Sequence, residues 1–368
     1  MKVMTIVGTR PEIIRLSRTI TRLDETVDHV LVHTGQNYDH SLNQVFFDDL
    51  DLRKPDHALD VDTSSLGRIL GETLIKSEAV LQDEQPDAVL VLGDTNSCIA
   101  AVMAKRMRIP VYHMEAGNRC FDENVPEETN RRLVDHVADF NLVYTEHARR
   151  NLLAEGIHPR RIMLTGSPMR EVITHYRDQI DASTALETLS LDEGGYFVVS
   201  AHREENVDSP ERLEQLLACL DAVHAKWQIP VIVSTHPRTR KRLEELGSEV
   251  SGDIRWLDPF GFHDYNNLQM HAACVLSDSG TISEESSILA FPAVTLRDSI
   301  ERPEALDAGA IIMTGLNAED AATAVAVAMA EEAVPTPAGY EIEDTSRRVA
   351  KFILSTAHRH KDWAGIRP

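Results

Sequence analysis

Phosphate binding is first suggested by the segment Asp278-Ser279-Gly280-Thr281. It follows the short apolar run Cys274–Ser277, and a helical pattern begins directly after it at Ile282. Hydroxyl groups and backbone N–H donors meet there at the positive end of a helix dipole. Glu285, one turn into that helix, could bind the hydroxyl groups of a ribose. The segment therefore predicts a diphosphate site, and an ordinary Ser/Thr-capped helix start is the alternative interpretation.

Two acidic residues stand directly behind short apolar runs in the first half of the chain. Asp94 follows Ala88–Leu92, and Glu115 follows Val111–Met114. A carboxylate at the end of a buried strand is costly unless it is paired or has a function. Asp94 also suits the capping position of a helix, which is the commoner use of aspartate there. We interpret both residues as candidates for proton transfer.

A third acidic residue, Glu127, opens the helical pattern Glu127–Ala138. Arg131 comes four residues later, so both side chains share one face of the helix. An ordinary ion pair on a helix explains this spacing as well as a functional site does. Both residues are therefore candidates, with both interpretations open.

Basic residues occupy further positions behind strands, where they could bind an anion. Arg10 lies in the turn Gly8-Thr9-Arg10-Pro11-Glu12, whose glycine and first helical N–H groups also suit a phosphate or the edge of a uracil. His202 and Arg203 follow one apolar run of the second half, and Arg302 follows another. Histidine can bind phosphate as well as transfer protons. The alternatives are a surface charge for Arg10 and a surface turn for the His-Arg pair.

All these residues follow short, β-branched apolar runs that alternate with helical patterns. Repeated alternation predicts parallel sheets with helices on both faces, and such sheets bind ligands beyond the carboxyl ends of their strands. The predicted strands are Val3–Val7, His29–Val32, Ala88–Leu92, Val111–Met114, Leu142–Tyr144, Ile162–Leu164, Tyr196–Ser200, Val231–Ser234, Ile254–Leu257, Cys274–Ser277, Ala293–Leu296 and Ile311–Met313. The predicted helices are Pro11–Leu23, Leu66–Gln82, Ser97–Met107, Glu127–Ala138, Glu146–Glu155, Pro210–Lys226, Arg238–Leu246, Asp264–His271, Ile282–Leu289 and Ala318–Ala330.

The alternation pauses over the polar stretch Asp181–Gly195, so we place an interdomain connection near Gly166–Gly195. This predicts two doubly wound α/β domains, residues 1–168 and 169–345, that face a cleft. The tail after Thr345 has a helical pattern, and residues 346–368 are expected to pack back on the first domain, with Trp363 docking the tail.

Composition limits the partners and the location of the protein. With 37 Lys and Arg against 59 Asp and Glu, the net charge is −22, and a surface this acidic repels nucleic acid and anionic lipid. The four cysteines form no CxxC pair, so neither a zinc site nor a redox pair is expected. The amino terminus has no signal-peptide profile, and no apolar run is long enough to span a membrane. We therefore expect a cytoplasmic protein without a membrane or nucleic-acid partner.

Seven motifs in order resemble the non-hydrolysing UDP-N-acetylglucosamine 2-epimerases. They are GTRPE from Gly8, GDT from Gly93, HMEAG from His113, PEExNR from Pro126, HRE from His202, DSG from Asp278 and ERPE from Glu301. The resemblance runs from Val3 to about Leu316. It implies two Rossmann-like domains facing each other, the glycosyltransferase-B arrangement, in a homodimeric isomerase that needs no metal or other cofactor.

The resemblance also implies a mechanism. UDP-GlcNAc and UDP-ManNAc interconvert when a base removes the C2 proton as UDP leaves C1, which gives a 2-acetamidoglucal, and UDP then adds back as a proton returns to the other face. By position, the catalytic residues are Asp94, Glu115, Glu127 and His202. The substrate-binding residues are Arg10, Arg15, Arg131, Arg203, Ser279, Gly280, Thr281, Glu285 and Arg302.

The sequence departs from the family at Arg15, at Gln36-Asn37-Tyr38-Asp39 and at His202-Arg203-Glu204-Glu205, where many members have Lys, QHxxM and HRRE. These neighbourhoods include the site through which substrate activates some bacterial members. A branch that epimerises UDP-2-acetamido-2,6-dideoxy-L-talose to UDP-N-acetyl-L-fucosamine is resembled by HMEAGNRCFDENVPEE from His113, SAHREENVD from Ser200 and STHPRTRKRL from Ser234. That substrate, a glycosyltransferase of the same fold, a hydrolysing epimerase and a non-catalytic UDP-sugar sensor are the alternatives.

Overall fold

The chain divides into two compact units. The computed structural model describes residues 1–35, 47, 49–247, 253–331 and 334–367. Unit 1 contains Met1–Arg119, Pro126–His175 and Ala338–Pro368, and unit 2 contains Cys120–Val125 and Tyr176–Pro337. The main boundary between the units thus lies after residue 175, seven residues beyond the predicted boundary at residue 168. The six-residue segment Cys120–Val125 also belongs to unit 2.

Unit 1 is built on a parallel sheet of seven strands, in the order β3-β2-β1-β4-β5-β6-β7. The strands are β1 Lys2–Val7, β2 Asp28–His33, β3 His57–Ala58, β4 Ala88–Leu92, β5 Val111–Met114, β6 Phe140–Val143 and β7 Ile162–Leu164. β4 and β5 pair in register from Val89 with Val111 to Leu92 with Met114. Asp94 and Glu115 therefore follow neighbouring strands at the same edge of the sheet.

Helices of unit 1 begin where the sequence offers suitable first-turn residues. The first helix starts behind Thr9 with Pro11 in its first turn and a capping box between Thr9 and Glu12. The helices are Arg10–Thr26, Leu66–Glu84, Ala100–Arg106, Glu127–Val137, Glu146–Ala154, Met169–His175, Thr345–Thr356 and His360–Trp363. The helix predicted over Ser97–Met107 begins instead as a 3₁₀ turn at Asn96–Ile99, and only from Ala100 is it α-helical.

The carboxyl-terminal segment is part of unit 1. Val349 and Ile353 of the helix Thr345–Thr356 are buried, and its Thr356 Oγ1 lies 2.6 Å from the hydroxyl of Tyr112 on β5. The ring of Trp363 lies edge-on to Phe140 of β6, with 6.3 Å between the ring centres. Aromatic and hydrogen-bonded contacts thus attach this segment to the sheet.

Unit 2 repeats the arrangement with six parallel strands in the order β10-β9-β8-β11-β12-β13. The strands are β8 Phe197–Ser200, β9 Val231–Ser234, β10 Ile254–Leu257, β11 Cys274–Ser277, β12 Ala293–Thr295 and β13 Ile312–Met313. Alternate residues of β8 serve different cores: Val199 packs with Leu216 and Leu220, whereas Val198 packs with Leu268. Both faces of the sheet are therefore covered, and the predicted α/β class with two doubly wound sheets is confirmed.

Short helices fill the stretch that we predicted as a polar connection. The helices of unit 2 are Arg177–Asp181, Ala185–Leu189, Glu204–Val207, Pro210–Trp227, Pro237–Leu246, Phe262–Met270, Ile282–Leu289, Pro303–Asp307 and Ala318–Ala330. The boundary between the units falls inside the predicted connection Gly166–Gly195, but Ala185, Leu186 and Leu189 form a helical turn that packs into a core of unit 2. Elements of only five residues contain too few turns to give a clear hydrophobic period.

Within the residues that the structure describes, no helix is both long enough and apolar enough to cross a bilayer. All four cysteines are free thiols inside the protein.

Candidate active site

Asp94 lies at the carboxyl end of β4 and is paired with Arg131. Arg131 donates from Nε to Asp94 Oδ2 over 3.1 Å and makes a second, closer bond from Nη2 to the same oxygen. The guanidinium is buried, and its Nη1 reaches Glu128 at 2.6 Å. Asn130 adds a hydrogen bond of 3.0 Å to the carbonyl oxygen of Asp94. The helix that begins at Glu127 therefore fixes the position of Asp94, whose side chain keeps 22% of its surface exposed.

Glu115 follows β5 in a conformation that few residues with a side chain adopt. Its φ is +64°, in the left-handed region that favours glycine, and such strain is often found at functional positions. The buried carboxylate pairs with Arg15, a residue of the first helix 100 positions away. A Cβ added to Gly93 would lie 3.5 Å from Glu115 Oε2, so the carboxylate rests against the turn that carries Asp94.

Glu12 occupies the turn that we interpreted as a possible phosphate site. Its Oε2 accepts hydrogen bonds from the backbone N–H groups of Gly8 and Thr9, at 3.0 and 2.8 Å, and Oε1 accepts one from the Ser97 hydroxyl. Burial raises the pKa of the Glu12 carboxyl, and these hydrogen bonds act in the opposite direction. The two backbone donors that we had assigned to a phosphate thus bind a side chain of the protein itself.

We expect Glu12→Gln to lower the free energy of unfolding by about 1–3 kcal/mol, because an amide cannot replace both acceptor oxygens and leaves buried donors without partners. The measurement is urea unfolding followed by circular dichroism. Glu25→Gln is the matched control, since Glu25 lies on the same helix in an exposed pair with Arg22. Equal midpoints for the two variants would show that the Glu12 hydrogen bonds add nothing to stability.

Glu127 and Arg10 lie at helix starts in unit 1, and both are half-buried. Glu127 is the first residue of its helix, where a negative charge is favourable. Arg131, which shares a helix with Glu127, binds Asp94 and Glu128. The segment Gln36-Asn37-Tyr38-Asp39 lies outside the described residues.

In unit 2, the turn Ser279-Gly280-Thr281 joins β11 to the helix Ile282–Leu289 as predicted. Ser279 Oγ lies 2.9 Å from Thr281 Oγ1, and the Ser279 N–H donates to Ser277 Oγ at 3.0 Å. The Thr281 side chain makes no capping hydrogen bond to this helix, whereas Ser279 Oγ accepts one of 3.4 Å from the Thr281 N–H. The turn thus presents hydroxyl groups at the positive end of a helix dipole.

Asp278 organises this turn, a role that the sequence did not reveal. Its buried carboxylate accepts hydrogen bonds from the N–H groups of His202 and Arg203, at 3.0 Å each, and from Asn206 Nδ2 at 3.2 Å. Arg203 also donates from Nε to the Asp278 carbonyl oxygen at 2.9 Å. The turn after β11 and the turn after β8 are therefore held together by one aspartate.

Arg302 supports the same turn from behind. It is almost fully buried, donates from Nη1 to the Gly280 carbonyl oxygen at 2.8 Å, and lies 3.3 Å from Glu301 Oε1. A Cβ on Gly280 would come within 3.0 Å of both Arg302 Nη1 and Glu301 Oε1. The backbone at Gly280 is thus packed directly against an ion pair, which leaves no space there for a side chain.

The other predicted residues of unit 2 lie around this turn. His202 has a side chain 39% exposed, with Nδ1 3.6 Å from Asp278 Oδ1, and its ring is tilted beside that of His236. Arg203 lies 3.2 Å from Glu301. Glu285 is buried and accepts a hydrogen bond of 3.0 Å from Gln269. Ser279, Gly280, Thr281, His202, Arg203 and Arg302 are therefore neighbours in unit 2, as Asp94, Glu115, Arg15 and Arg131 are in unit 1.

Sequence reasoning missed the residues that hold these positions, namely Glu12, Asp135, Asn206, Asp278 and Glu301. The available signal was that each is an acidic or amide residue within a motif that already contained a candidate, or close to one. Their buried partners lie far away along the chain, 85 residues for Glu12 with Ser97 and 76 for Asp278 with His202. Unit 1 thus contains arginine-paired carboxylates, and unit 2 contains a turn with clustered hydroxyl groups.

Known proteins are similar to this chain in sequence and fold. The sequence model of the family described as UDP-N-acetylglucosamine 2-epimerase matches residues 21–354. A UDP-N-acetylglucosamine 2-epimerase of Methanocaldococcus jannaschii is 38% identical over 339 residues, which are 89% of this chain and 92% of the relative. A solved structure of the enzyme of that name from Rickettsia bellii is 45% identical with a TM-score of 0.91, over 98% of each chain.

A second solved structure contains ligands. The M. jannaschii UDP-GlcNAc 2-epimerase in complex with UDP-GlcNAc and UDP has a TM-score of 0.91 and 34% identity, over 96% of this chain and all of that one. The family model matches most of the chain, and the relatives align with it over nearly the whole length of both chains. The chain belongs to the UDP-N-acetylglucosamine 2-epimerase family.

Proposed function

We propose that this protein interconverts UDP-GlcNAc and UDP-ManNAc as a non-hydrolysing 2-epimerase. The observation that carries the proposal is the strained, arginine-paired Glu115 beside the turn of Asp94, in a member of this family. Acid–base groups on both faces of C2 are what inversion at that carbon requires. Two carboxylates behind neighbouring strands meet that requirement.

The first half of the reaction is an elimination. One carboxylate takes the proton from C2, the electrons of the C–H bond form the C1=C2 double bond, and UDP leaves C1 with the electrons of the C–O bond. The product is a 2-acetamidoglucal. We assign the proton transfers to Asp94 and Glu115, with Glu127 assisting. Ion pairs with Arg131 and Arg15 hold these two carboxylates in position.

The second half is the reverse addition, and it gives the opposite configuration at C2. A UDP oxygen attacks C1, and a proton is added to C2 from the other face. UDP must therefore stay bound while it is detached from the sugar. We assign this to Ser279, Gly280, Thr281, Arg203 and Arg302 around the diphosphate, with Glu285 at the ribose and His202 near the leaving group. Donors arranged before the reaction stabilise the charge that develops on the departing diphosphate.

Binding of a UDP-sugar is supported by family membership and by the M. jannaschii relative, which is in complex with UDP-GlcNAc and UDP. Arg10 is assigned to a contact with UDP, and Arg131 to a further polar contact with the substrate. We also propose that the protein works in the cytoplasm and forms a homodimer. Light scattering of the purified protein tests the dimer.

The decisive experiment is incubation with UDP-GlcNAc alone in heavy water. We expect deuterium at C2 of both UDP-GlcNAc and UDP-ManNAc, because the proton that returns to C2 comes from a group that exchanges with solvent. Mass spectrometry and proton NMR measure the exchange. Parallel incubations with UDP-ManNAc and with UDP-2-acetamido-2,6-dideoxy-L-talose determine which sugar reacts fastest.

Each competing function gives a different result in this experiment. A glycosyltransferase needs an acceptor and leaves C2 without deuterium. A hydrolysing epimerase releases free ManNAc and UDP, and a sensor binds UDP without any exchange. Absence of C2 deuterium with all three sugars would overturn the proposal.

A further inference from the structure

A buried imidazole links the two turns that carry the proposed catalytic carboxylates. His113 on β5 is fully buried, and its Nε2 lies 2.7 Å from the carbonyl oxygen of Gly93, the residue before Asp94. A carbonyl oxygen only accepts hydrogen bonds, so Nε2 must carry the hydrogen. The turn of Asp94 is thus tied directly to the ring.

The other ring nitrogen leads to the turn of Glu115. His113 Nδ1 lies 2.9 Å from Asp135 Oδ1, and Asp135 Oδ2 accepts a hydrogen bond of 3.1 Å from the N–H of Gly117. Gly117 comes two residues after Glu115 and has a φ of +81°. A Cβ on Gly117 would overlap the carbonyl group of Ala148. The turn therefore cannot shift towards that carbonyl group.

Asp135 is itself held in place from a third side. Arg119 Nη1 donates to Asp135 Oδ2 at 2.7 Å. Its Nε and Nη2 form a bidentate ion pair with Glu155, at 2.8 and 2.7 Å. Neither the imidazole nor the Asp135 carboxylate reaches solvent. Burying this many charged groups costs desolvation energy, and a well-packed apolar set would stabilise the fold equally well. Stability alone therefore does not explain this arrangement.

We infer that His113 and Asp135 are positioning residues for epimerisation, which act by fixing the distance between the carboxylates of Asp94 and Glu115. The inference rests on the proposed function, since it assigns these two carboxylates to the two faces of C2. Neither His113 nor Asp135 touches the substrate. Displacement of a reacting group by about 1 Å is enough to reduce turnover by about 10²-fold, whereas binding depends on other contacts.

The test compares two amides at position 113. The terminal nitrogen of Gln reaches the position of the Nε2 donor, so His113→Gln keeps the bond to Gly93. The shorter Asn places its nitrogen near Nδ1, so His113→Asn keeps the bond to Asp135 but loses the one to Gly93. Each amide keeps only one of the two bonds, so we expect kcat for C2 exchange to fall about 10- to 100-fold in both His113→Asn and His113→Gln, with KM and the Kd for UDP unchanged in both.

Tyr112→Phe is the matched control for a purely structural effect. Tyr112 is the neighbouring residue on β5, equally buried, and its hydroxyl lies 2.6 Å from Thr356 Oγ1. This variant should lower the melting temperature without changing kcat. Asp135→Asn provides a second test if a His113 variant does not fold, because it keeps an acceptor for the Gly117 N–H while altering the bond to the ring. A fall in kcat with an unchanged KM supports the inference.

The outcomes separate this inference from the function on which it rests. If the unaltered protein shows no C2 exchange, the proposed function fails. If it exchanges, and all variants at positions 113 and 135 exchange equally fast, only the positioning role is overturned. A loss of kcat that merely follows the loss of melting temperature, as Tyr112→Phe calibrates it, also overturns that role.

Discussion

Glu115→Gln should slow exchange of the C2 hydrogen by about 10²- to 10⁴-fold, since that is the contribution of a well-placed acid–base group. Asp94→Asn should have an effect of similar size. Both substitutions keep the shape of the side chain and remove its ability to take up a proton. The Kd for UDP should change little, because neither carboxylate is assigned to a contact with UDP. Exchange is measured in heavy water, and UDP binding by calorimetry.

The arginine partners make the choice of control important. Arg15 and Arg131 would each lose a charged partner in these variants, so part of the effect could come from lost structure. Melting temperatures measured in parallel detect such a loss. Glu146→Gln is the matched control, since Glu146 is half exposed in a helical pair with Arg149. Exchange at the unaltered rate in both active-site variants would refute the assignment of these carboxylates.

The two variants also separate the two directions of the reaction. If one carboxylate acts on each face of C2, one variant should lose exchange mainly from UDP-GlcNAc and the other mainly from UDP-ManNAc. Both substrates should therefore be assayed with both variants. Equal losses from both sugars would assign the two residues to a shared step, in which neither face has its own base.

Gly280→Ala should weaken UDP binding by about 1–3 kcal/mol, the usual cost of forcing a methyl group into a packed site. This corresponds to a Kd raised by about 5- to 150-fold. The methyl group would meet Arg302 Nη1 and Glu301 Oε1. Side chains of this length could normally move aside, but here they are buried and bonded to each other, and Arg302 also holds the Gly280 carbonyl oxygen. The diphosphate turn must therefore shift.

Calorimetry with UDP measures this effect, and the same titration with Gly71→Ala is the control. A Cβ on Gly71 meets nothing within 4 Å, and the residue lies inside the helix Leu66–Glu84, where alanine is favourable. That variant should bind UDP normally. If Gly280→Ala also binds UDP as tightly as the unaltered protein, the turn is not where the diphosphate sits.

The sequence predicted the strands behind which the candidate residues stand. β4, β5, β9, β10 and β11 begin and end where the apolar runs do, because each run is short, β-branched and bounded by polar residues. The edge strand β3 and the five-residue helices were missed, because two to five residues contain too little periodicity. Predicting the carboxyl ends of strands was enough to find candidates in both units.

Partners of the candidate residues could not be predicted in the same way. The pair between Arg131 and Asp94 depends on how closely a helix approaches the end of β4, which no local pattern contains. The interpretation of Gly8 and Thr9 as free donors failed for the same reason, since Glu12 and Ser97 meet only after the sheet has formed. Propensity and spacing describe a segment, whereas buried hydrogen bonds are properties of the folded whole.

The left-handed backbone at Glu115 sets conformational strain against the need for a carboxylate. Glycine would relieve about 1 kcal/mol of backbone strain, yet it would remove the carboxylate that pairs with the buried guanidinium of Arg15, which costs about 3–5 kcal/mol. A library sorted for heat resistance alone would therefore retain glutamate at this position, as would one sorted for turnover. Stability and chemistry thus both keep a strained residue at position 115.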